Sequence, residues 1–590
     1  MSLPATAFGR LRSLQYLLFL LYFALVFKSF FRLVSFLPAD FLTTLDQTKY
    51  YLLRYLRIFL VTGTLLVTNS EVADAFIALA VMLAACGVGR KCLRLSHCGF
   101  DSLAEELVFG GGLGLVLLAA VAFLLGLTGQ LHVGAFYWTL GIAFVVGSGE
   151  VVTLARELWR SSWLAPFQRK ESSWGTHLLQ LFLMGYLFVF VAVAFVACHL
   201  PEIEFDPLIY HLTVPKLYLQ HHQIVDIPEI LEAVFPKNVG MLYLYGLALH
   251  SQITVKFLNF WMGLLLLLAI HCFAKRLWGR LTGLAAATLF ASTPIVFFEL
   301  RAIYIDLPIA LFCFLNFFAL LRWMEDGGRK WLVLSAVFLA MAAGSKYNAL
   351  FNVVAASVLV GYHFWVVRKL PLLKTAVKVA VYGLLSASSL LAWLYLTYRF
   401  TGDPLFPYLS GDPLFAFLKG LFHSDRWETY NLPVVRSGGH RWGLPLSFTN
   451  AFKTLWQMHF DEKVFCGSLG PFFVLLAPLL AFVFKLHRVM RLMLAYSSIY
   501  LLFWLVTTQA NRYLIPVLPL LSLLCVGWLL GFLEAKTVLQ RSLRGCVTAA
   551  LLVAAFYNLP FLFYLWWTPG KRYFTPVLGA FPESVFSDNY

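Results

Sequence analysis

A run of carboxylates follows directly on an apolar stretch at 178–200: Glu202-Ile203-Glu204-Phe205-Asp206-Pro207-Leu208-Ile209-Tyr210-His211. Acidic groups at the end of a hydrophobic helix either lie solvated on the surface or do chemistry, taking a proton from a hydroxyl or binding a cation. Glu202 and Glu204 read as solvated surface. Asp206 is set apart because Pro207, Tyr210, His211 and Lys216 follow on what would be one helical segment. A helix N-cap would account for its residue type at no functional cost and stays open as the alternative. The expected location is the mouth of a cavity facing away from the cytoplasm.

Three more constellations carry charge beside apolar runs. In Glu299-x-Arg301-Ala302-Ile303-Tyr304-Ile305-Asp306-Leu307-Pro308 the apolar stretch 307–321 follows at once, so Asp306 sits at a helix end. Capping, with Pro308 in the first turn, is its structural alternative. Gly344-Ser345-Lys346-Tyr347 interrupts an apolar region with a lysine that could simply snorkel to the interface. Gln509-Ala510-Asn511-Arg512-Tyr513-Leu514-x-Pro516 places an Arg/Tyr pair before another apolar run, a common interfacial anchor.

The elements that must position these groups are membrane helices. The chain has 590 residues, 61% hydrophobic and only 13% charged, with a mean hydropathy of +0.79, which defines an all-α polytopic membrane protein. The net charge of +16 is spread through the gaps between apolar runs, so nucleic-acid binding is not expected. Nine cysteines include no CxxC pair and imply no disulfide framework or zinc site. The first run, about 14–37, is read as a retained helix rather than a removed signal, and 38–70 as an interfacial helix or partial span.

Further runs are expected at about 72–89, 106–128, 132–155, 178–200, 256–274, 281–298, 307–323, 331–344, 350–367, 376–398, 470–484, 493–508, 513–533 and 546–567. The basic gaps Arg90–Arg94, Arg156–Lys170, Lys275/Arg276/Arg280, Arg329/Lys330, Arg368/Lys369/Lys374, Lys485/Arg488/Arg491 and Lys536/Arg541/Arg544 are expected on the cytoplasmic side. The gaps 201–254, 299–306, 344–347, 399–465 and 509–512 belong to the other. Within the first of these, Pro207–Gln220 has the pattern of a short amphipathic interfacial helix, and Phe235-Pro236-Lys237-Asn238 reads as a turn. The expected organisation is an N-terminal block over 1–177, a membrane core over 178–398 with its first outer loop at 201–254, an extracytoplasmic lobe over 399–468, closing helices over 469–567 and a tail over 568–590.

Phe205-Asp206-x-x-x-Tyr210-His211-Leu212, then Pro215-Lys216, Phe235-Pro236 and Met241-Leu242-Tyr243, resembles the first outer loop of GT-C glycosyltransferases, in the branch of protein O-mannosyltransferases and lipid A aminoarabinose transferases. The resemblance covers roughly 178–535 and leaves 1–177 unaccounted for. It implies a GT-C-like transmembrane helix bundle with short outer-loop helices. It also implies a polyprenyl-phosphate sugar donor and a lipid, polysaccharide or protein acceptor. Asp206 would be the base or orient the acceptor, and Asp306 would be a partner carboxylate; the two would hold a divalent cation if one is needed. Lys346 and Arg512 would lie on the donor phosphate, while Tyr210 and His211 would line the acceptor side. Lys216, Glu299, Arg301, Tyr347 and Tyr513 complete the expected substrate-binding set. Thr401-Gly402-Asp403-Pro404-Leu405-Phe406-Pro407 resembles the family's opening to its outer lobe and is read as a structural turn.

The expected activity is therefore inverting sugar transfer on the extracytoplasmic face, in a bacterial inner membrane. Its main rival is a transporter or lipid flippase. Transporters favour midplane charges and two related halves, whereas here the charges gather at one set of helix ends and the halves do not match. A membrane scaffold without catalysis is the third reading.

Overall fold

The computed structural model describes residues 69–160, 174–407, 442–473 (apart from 446, 460, 468, 471 and 472) and 487–533. The expected runs at 14–37, 470–484 and 546–567, the 38–70 stretch, most of the Arg156–Lys170 loop and most of the lobe lie outside them. Among the described residues every regular element is helical, and nine helices are long and apolar enough to cross a membrane.

The first three are α1 (Asn69–Leu95), α2 (Leu103–Leu127) and α3 (Val133–Arg160). Ser102 caps α2 by accepting from the Glu105 amide, the local signature of a helix start. α1 and α2 approach until their backbones touch: a Cβ on Gly89 would lie 1.8 Å from the Gly110 oxygen, and one on Gly114 1.8 Å from the Ala85 oxygen. Small residues allow this van der Waals packing between helices in lipid. The expectation of a loop at Arg90–Arg94 is corrected, because α1 continues through it. Arg90 is fully buried, 3.1 Å from Glu106, 3.2 Å from Glu157 and 2.9 Å from the Glu150 carbonyl. Carboxylates on the two neighbouring helices make an arginine tolerable there.

The core follows as α4 (Trp174–Cys198), a π-helical turn (Pro207–His211), α5 (Thr213–Gln220), α6 (Asn238–Leu249), α7 (Gln252–Trp278), α8 (Arg280–Ala291), α9 (Pro294–Leu300), α10 (Asp306–Asp326), α11 (Arg329–Ala343), α12 (Leu350–Tyr362) and α13 (Leu372–Thr401). Two short helices, α14 (Phe448–Gln457) and α15 (Glu462–Phe465), precede α16 (Arg488–Val506) and α17 (Leu518–Leu533). α10 is the central helix, its membrane window wholly buried inside the protein.

The single run expected at 281–298 is two helices bent by 78° between α8 and α9. Pro294 is the cause, since it has no amide to continue the ladder and opens α9 at its first turn.

Among the described residues the gaps of the two charge sets lie at two ends of the bundle. At the basic end Asp101 receives Arg276 at 2.6 Å and Arg322 at 2.7 Å, and Arg276 also reaches Glu325 at 2.6 Å. Toward the other end Asp74 of α1 accepts from His250 and Ser251, both at 2.7 Å, and from Thr254. These contacts join α1–α3 to the core at both ends.

Candidate active site

Two loops of the second end are tied down first. Lys256 of α7 donates to the Leu200 carbonyl at 2.8 Å, satisfying an oxygen left over where α4 stops. Asn259 donates to the carbonyls of Glu299 and Ala302, each at 2.7 Å, and Tyr243 to that of Tyr304 at 2.6 Å. Glu202 then joins the loops, accepting from the amides of Ile303 (2.7 Å), Ile203 (2.9 Å) and Glu204 (3.1 Å). The reading of Glu202 and Glu204 as solvated surface is corrected. Glu202 is buried because loop amides need an acceptor, and Glu204 pairs with Arg301 at 3.2 Å. Burial raises the Glu204 carboxyl's pKa, and Arg301 opposes that rise.

Pro207–Gln220 is not one amphipathic helix. The π turn contributes an extra residue before α5 begins, and this turns Pro207 and His211 both inward. Asp206 makes no capping hydrogen bond. Its carboxylate is held by the Arg512 guanidinium, which arrives from the short helical turn Asn511–Leu514 between α16 and α17. Asp306 opens α10 without capping it. Fully buried, it takes both oxygens to Lys346, at 2.8 and 2.9 Å.

Tyr513 joins the two ion pairs: Lys346 Nζ lies 4.4 Å and Arg512 Cζ 5.3 Å from its ring centre, and Tyr304 is 5.7 Å from Arg512. Burial works against the Arg512 charge, but Tyr513, Asp206 and Asp306 hold it firmly protonated. Burial together with Lys346, Lys237 and Arg512 pushes the His211 imidazole well below its usual pKa, so it is neutral.

Lys346, Tyr210, His211, Tyr347 and Tyr513 line one cavity of about 430 Å³. Most of the remaining wall is apolar or aromatic, from Pro215, Phe235, Pro236, Ile305, Phe351 and Leu405. Leu405 belongs to the turn after α13, where Asp403 accepts from the Leu405 amide at 2.8 Å. Glu299 is fully buried on α9, and neither carboxylate oxygen has a hydrogen-bond partner among the described residues. Lys216 stays exposed on α5, away from this wall.

Sequence reasoning missed Lys237, which it read only as part of a turn. This lysine is buried, lines the same cavity, and donates to the carbonyls of Glu232 and, at 3.2 Å, Phe235. Burial lowers its pKa to about 7. A lysine surrounded by proline and aromatic residues was the one signal available. Its neighbour Asn238 positions the wall: its side chain donates to Ser389 at 2.6 Å, accepts from Trp393 at 2.8 Å, and its amide donates to Gly344 at 2.9 Å. A Cβ on Gly344 would lie 2.3 Å from the Asn238 side-chain nitrogen Nδ2. Glycine there lets α11 end against α6 with Lys346 two residues on.

Among the described residues no group of three or more His, Cys, Asp or Glu side chains is arranged to hold a metal ion. Asp206 and Asp306 are each paired with a cation of their own, Arg512 and Lys346.

Residues 242–402, from within α6 to just past α13, match the family model of dolichyl-phosphate-mannose-protein mannosyltransferase. The match includes Glu299, Asp306 and Lys346, while Asp206 and Arg512 lie to either side of it. No curated protein and no solved structure matches the chain. The family match supports a membrane glycosyltransferase of the GT-C superfamily.

Proposed function

We propose that the enzyme moves a sugar from a polyprenyl-phosphate donor to an acceptor hydroxyl on the extracytoplasmic side, with inversion, and that Asp206 is the base. The single observation that carries this reading is the pair of carboxylate-held cations, Arg512 on Asp206 and Lys346 on Asp306, gathered around one tyrosine at the edge of an apolar cavity. The concentration of lysine and arginine at the opposite end favours the cytoplasm for that end.

In this reading the donor phosphate competes for Arg512 and Lys346. Guanidinium and ammonium are the groups suited to a phosphate oxygen. Arg512 exchanges its partner, and the Asp206 carboxylate is released toward the acceptor. The acceptor oxygen then bonds to the anomeric carbon as the carbon–oxygen bond to phosphate breaks. The electron pair leaves on the lipid phosphate, and the hydroxyl proton passes to Asp206. A carboxylate can take that proton and also stabilise the positive charge growing at the anomeric carbon. The cations face the negative charge that develops on the leaving group, where preorganised charge has its largest effect. The apolar and aromatic wall suits the first units of a prenyl chain.

Purified protein in lipid, given a panel of radiolabelled polyprenyl-phosphate sugars with membrane extract as acceptor, is expected to transfer label from one of them. Failure to bind any lipid-linked sugar would sink this reading and favour a transporter.

Lys237 adds a pH dependence. Below about pH 7 it is an ammonium in the cavity wall and attracts the donor phosphate; above that it is neutral. A phosphodiester donor does not itself titrate in this range, unlike a monoester with its second pKa near 6. Donor affinity should therefore fall as pH rises through about 7, and the fall should be absent in Lys237→Met. An equally pH-dependent affinity in that variant would assign the titration elsewhere.

A further inference from the structure

The short helix α14 has three faces, and among the described residues only two of them are accounted for by protein and water. At roughly 100° per residue, Ala451, Thr454 and Met458 share one side. Thr454 and Met458 are buried there, and the Thr454 hydroxyl points to Gln509 at 3.4 Å. Thr449, Lys453 and Gln457 form a polar side, on which Thr449 and Lys453 are exposed. Phe448, Phe452 and Leu455 form the third, and they are 81%, 63% and 48% exposed. The two phenylalanines pack edge to face, with ring centres 5.2 Å apart, so the stripe is one continuous apolar ridge.

The position of α14 identifies what this ridge meets. Its inner side rests on the connection between α16 and α17, just past the point where α16 ends at Val506. Gln509 accepts from the Leu444 amide at 2.9 Å, ahead of α14, and Asn511 donates to the Met458 carbonyl at 2.6 Å, directly after it. α16 reaches this level with Leu502 60% and Val506 42% exposed, the outward surface of a membrane-crossing helix.

We propose that α14 lies in the interfacial layer of the bilayer, with Phe448, Phe452 and Leu455 among the acyl chains and Lys453 toward water. A short helix with an apolar aromatic face and a polar face is suited to that layer, and aromatic rings are the favoured side chains at this depth. Because α14 is hydrogen-bonded to Gln509 and Asn511, the residues leading to Arg512, its seating on lipid also supports the segment that carries this arginine.

The test places an environment-sensitive fluorescent amino acid by codon suppression at 448, 452 or 453 of the full chain in phosphatidylcholine–phosphatidylglycerol vesicles. Quenching by lipids carrying a nitroxide on the acyl chain is then compared with quenching by aqueous iodide. Acyl-chain quenching at 448 and 452 should exceed that at 453 at least threefold, with iodide in the reverse order. Equal acyl-chain quenching at all three positions, or iodide quenching greatest at 448, would overturn the proposal, as would protection of 448 from both quenchers by a covering protein surface. This readout does not depend on any sugar donor, so it stands or falls separately from the transfer assay. In the Phe448→Asp/Phe452→Asp double variant a fluorophore at 455 should lose its acyl-chain quenching, and its retention would also overturn the proposal.

Discussion

Asp206→Asn should yield a protein that folds, binds the lipid-linked donor and transfers sugar at least about a hundredfold more slowly, since a positioned general base typically contributes ~10²–10⁴. The substitution keeps the size of the side chain and removes only its charge and basicity. Arg512 keeps Asp306, Tyr304 and Tyr513 as neighbours, so the cation is not abandoned. Donor binding should hold or tighten, because the carboxylate that competes with phosphate for Arg512 is gone. Single-turnover transfer beside equilibrium donor binding separates the two effects. Transfer within threefold of wild type would remove Asp206 from the chemistry. Parallel loss of binding and transfer would make it a structural partner of Arg512 instead.

Lys346→Met should act on stability and function together. Asp306 is fully buried and both of its oxygens are spent on this lysine. Removing one partner of a buried pair leaves an uncompensated charge, at a cost of about 3–5 kcal/mol. The double variant Asp306→Asn/Lys346→Met removes both charges and should recover most of that loss in thermal unfolding. It should not recover donor binding, because the ammonium that meets the phosphate is still missing. The single and double variants should thus differ in stability and share the same loss of donor binding. Wild-type donor affinity in the double variant would rule Lys346 out as a phosphate ligand, and an unshifted melting temperature in the single variant would show that the pair does not hold the fold.

Hydropathy and the sign of charge between runs are local properties, and they made much of this fold legible. Among the described residues the apolar stretches became helices close to where they were expected, with α10 at Asp306–Asp326 against an expected run of 307–323. Where the gaps lie among the described residues, their sorting into a basic and a mixed set became two ends of one bundle. The main candidate residues were legible for the same reason: Asp206, Asp306, Lys346 and Arg512 are ionisable groups at ends of apolar runs, where burial is costly and needs a cause.

Partners were not legible, because pairing is decided by how helices pack. Asp206 meets Arg512 across 306 residues, and Asp306 meets Lys346 across 40; no spacing rule reaches that far. The buried Arg90 looked like a loop residue until the carboxylates of α2 and α3 closed around it. Glu202 looked solvated until three backbone amides converged on it. Lys237 sat in a turn signal, and only the packing of α6 against α11 and α13 buried it in the cavity wall. Sequence alone determined which segments leave water and which charged residues stand at their ends, because both follow from local transfer free energies. Which charges neutralise one another, and which cavity they surround, was decided by the tertiary structure, because only packing sets the distances on which electrostatic energy depends.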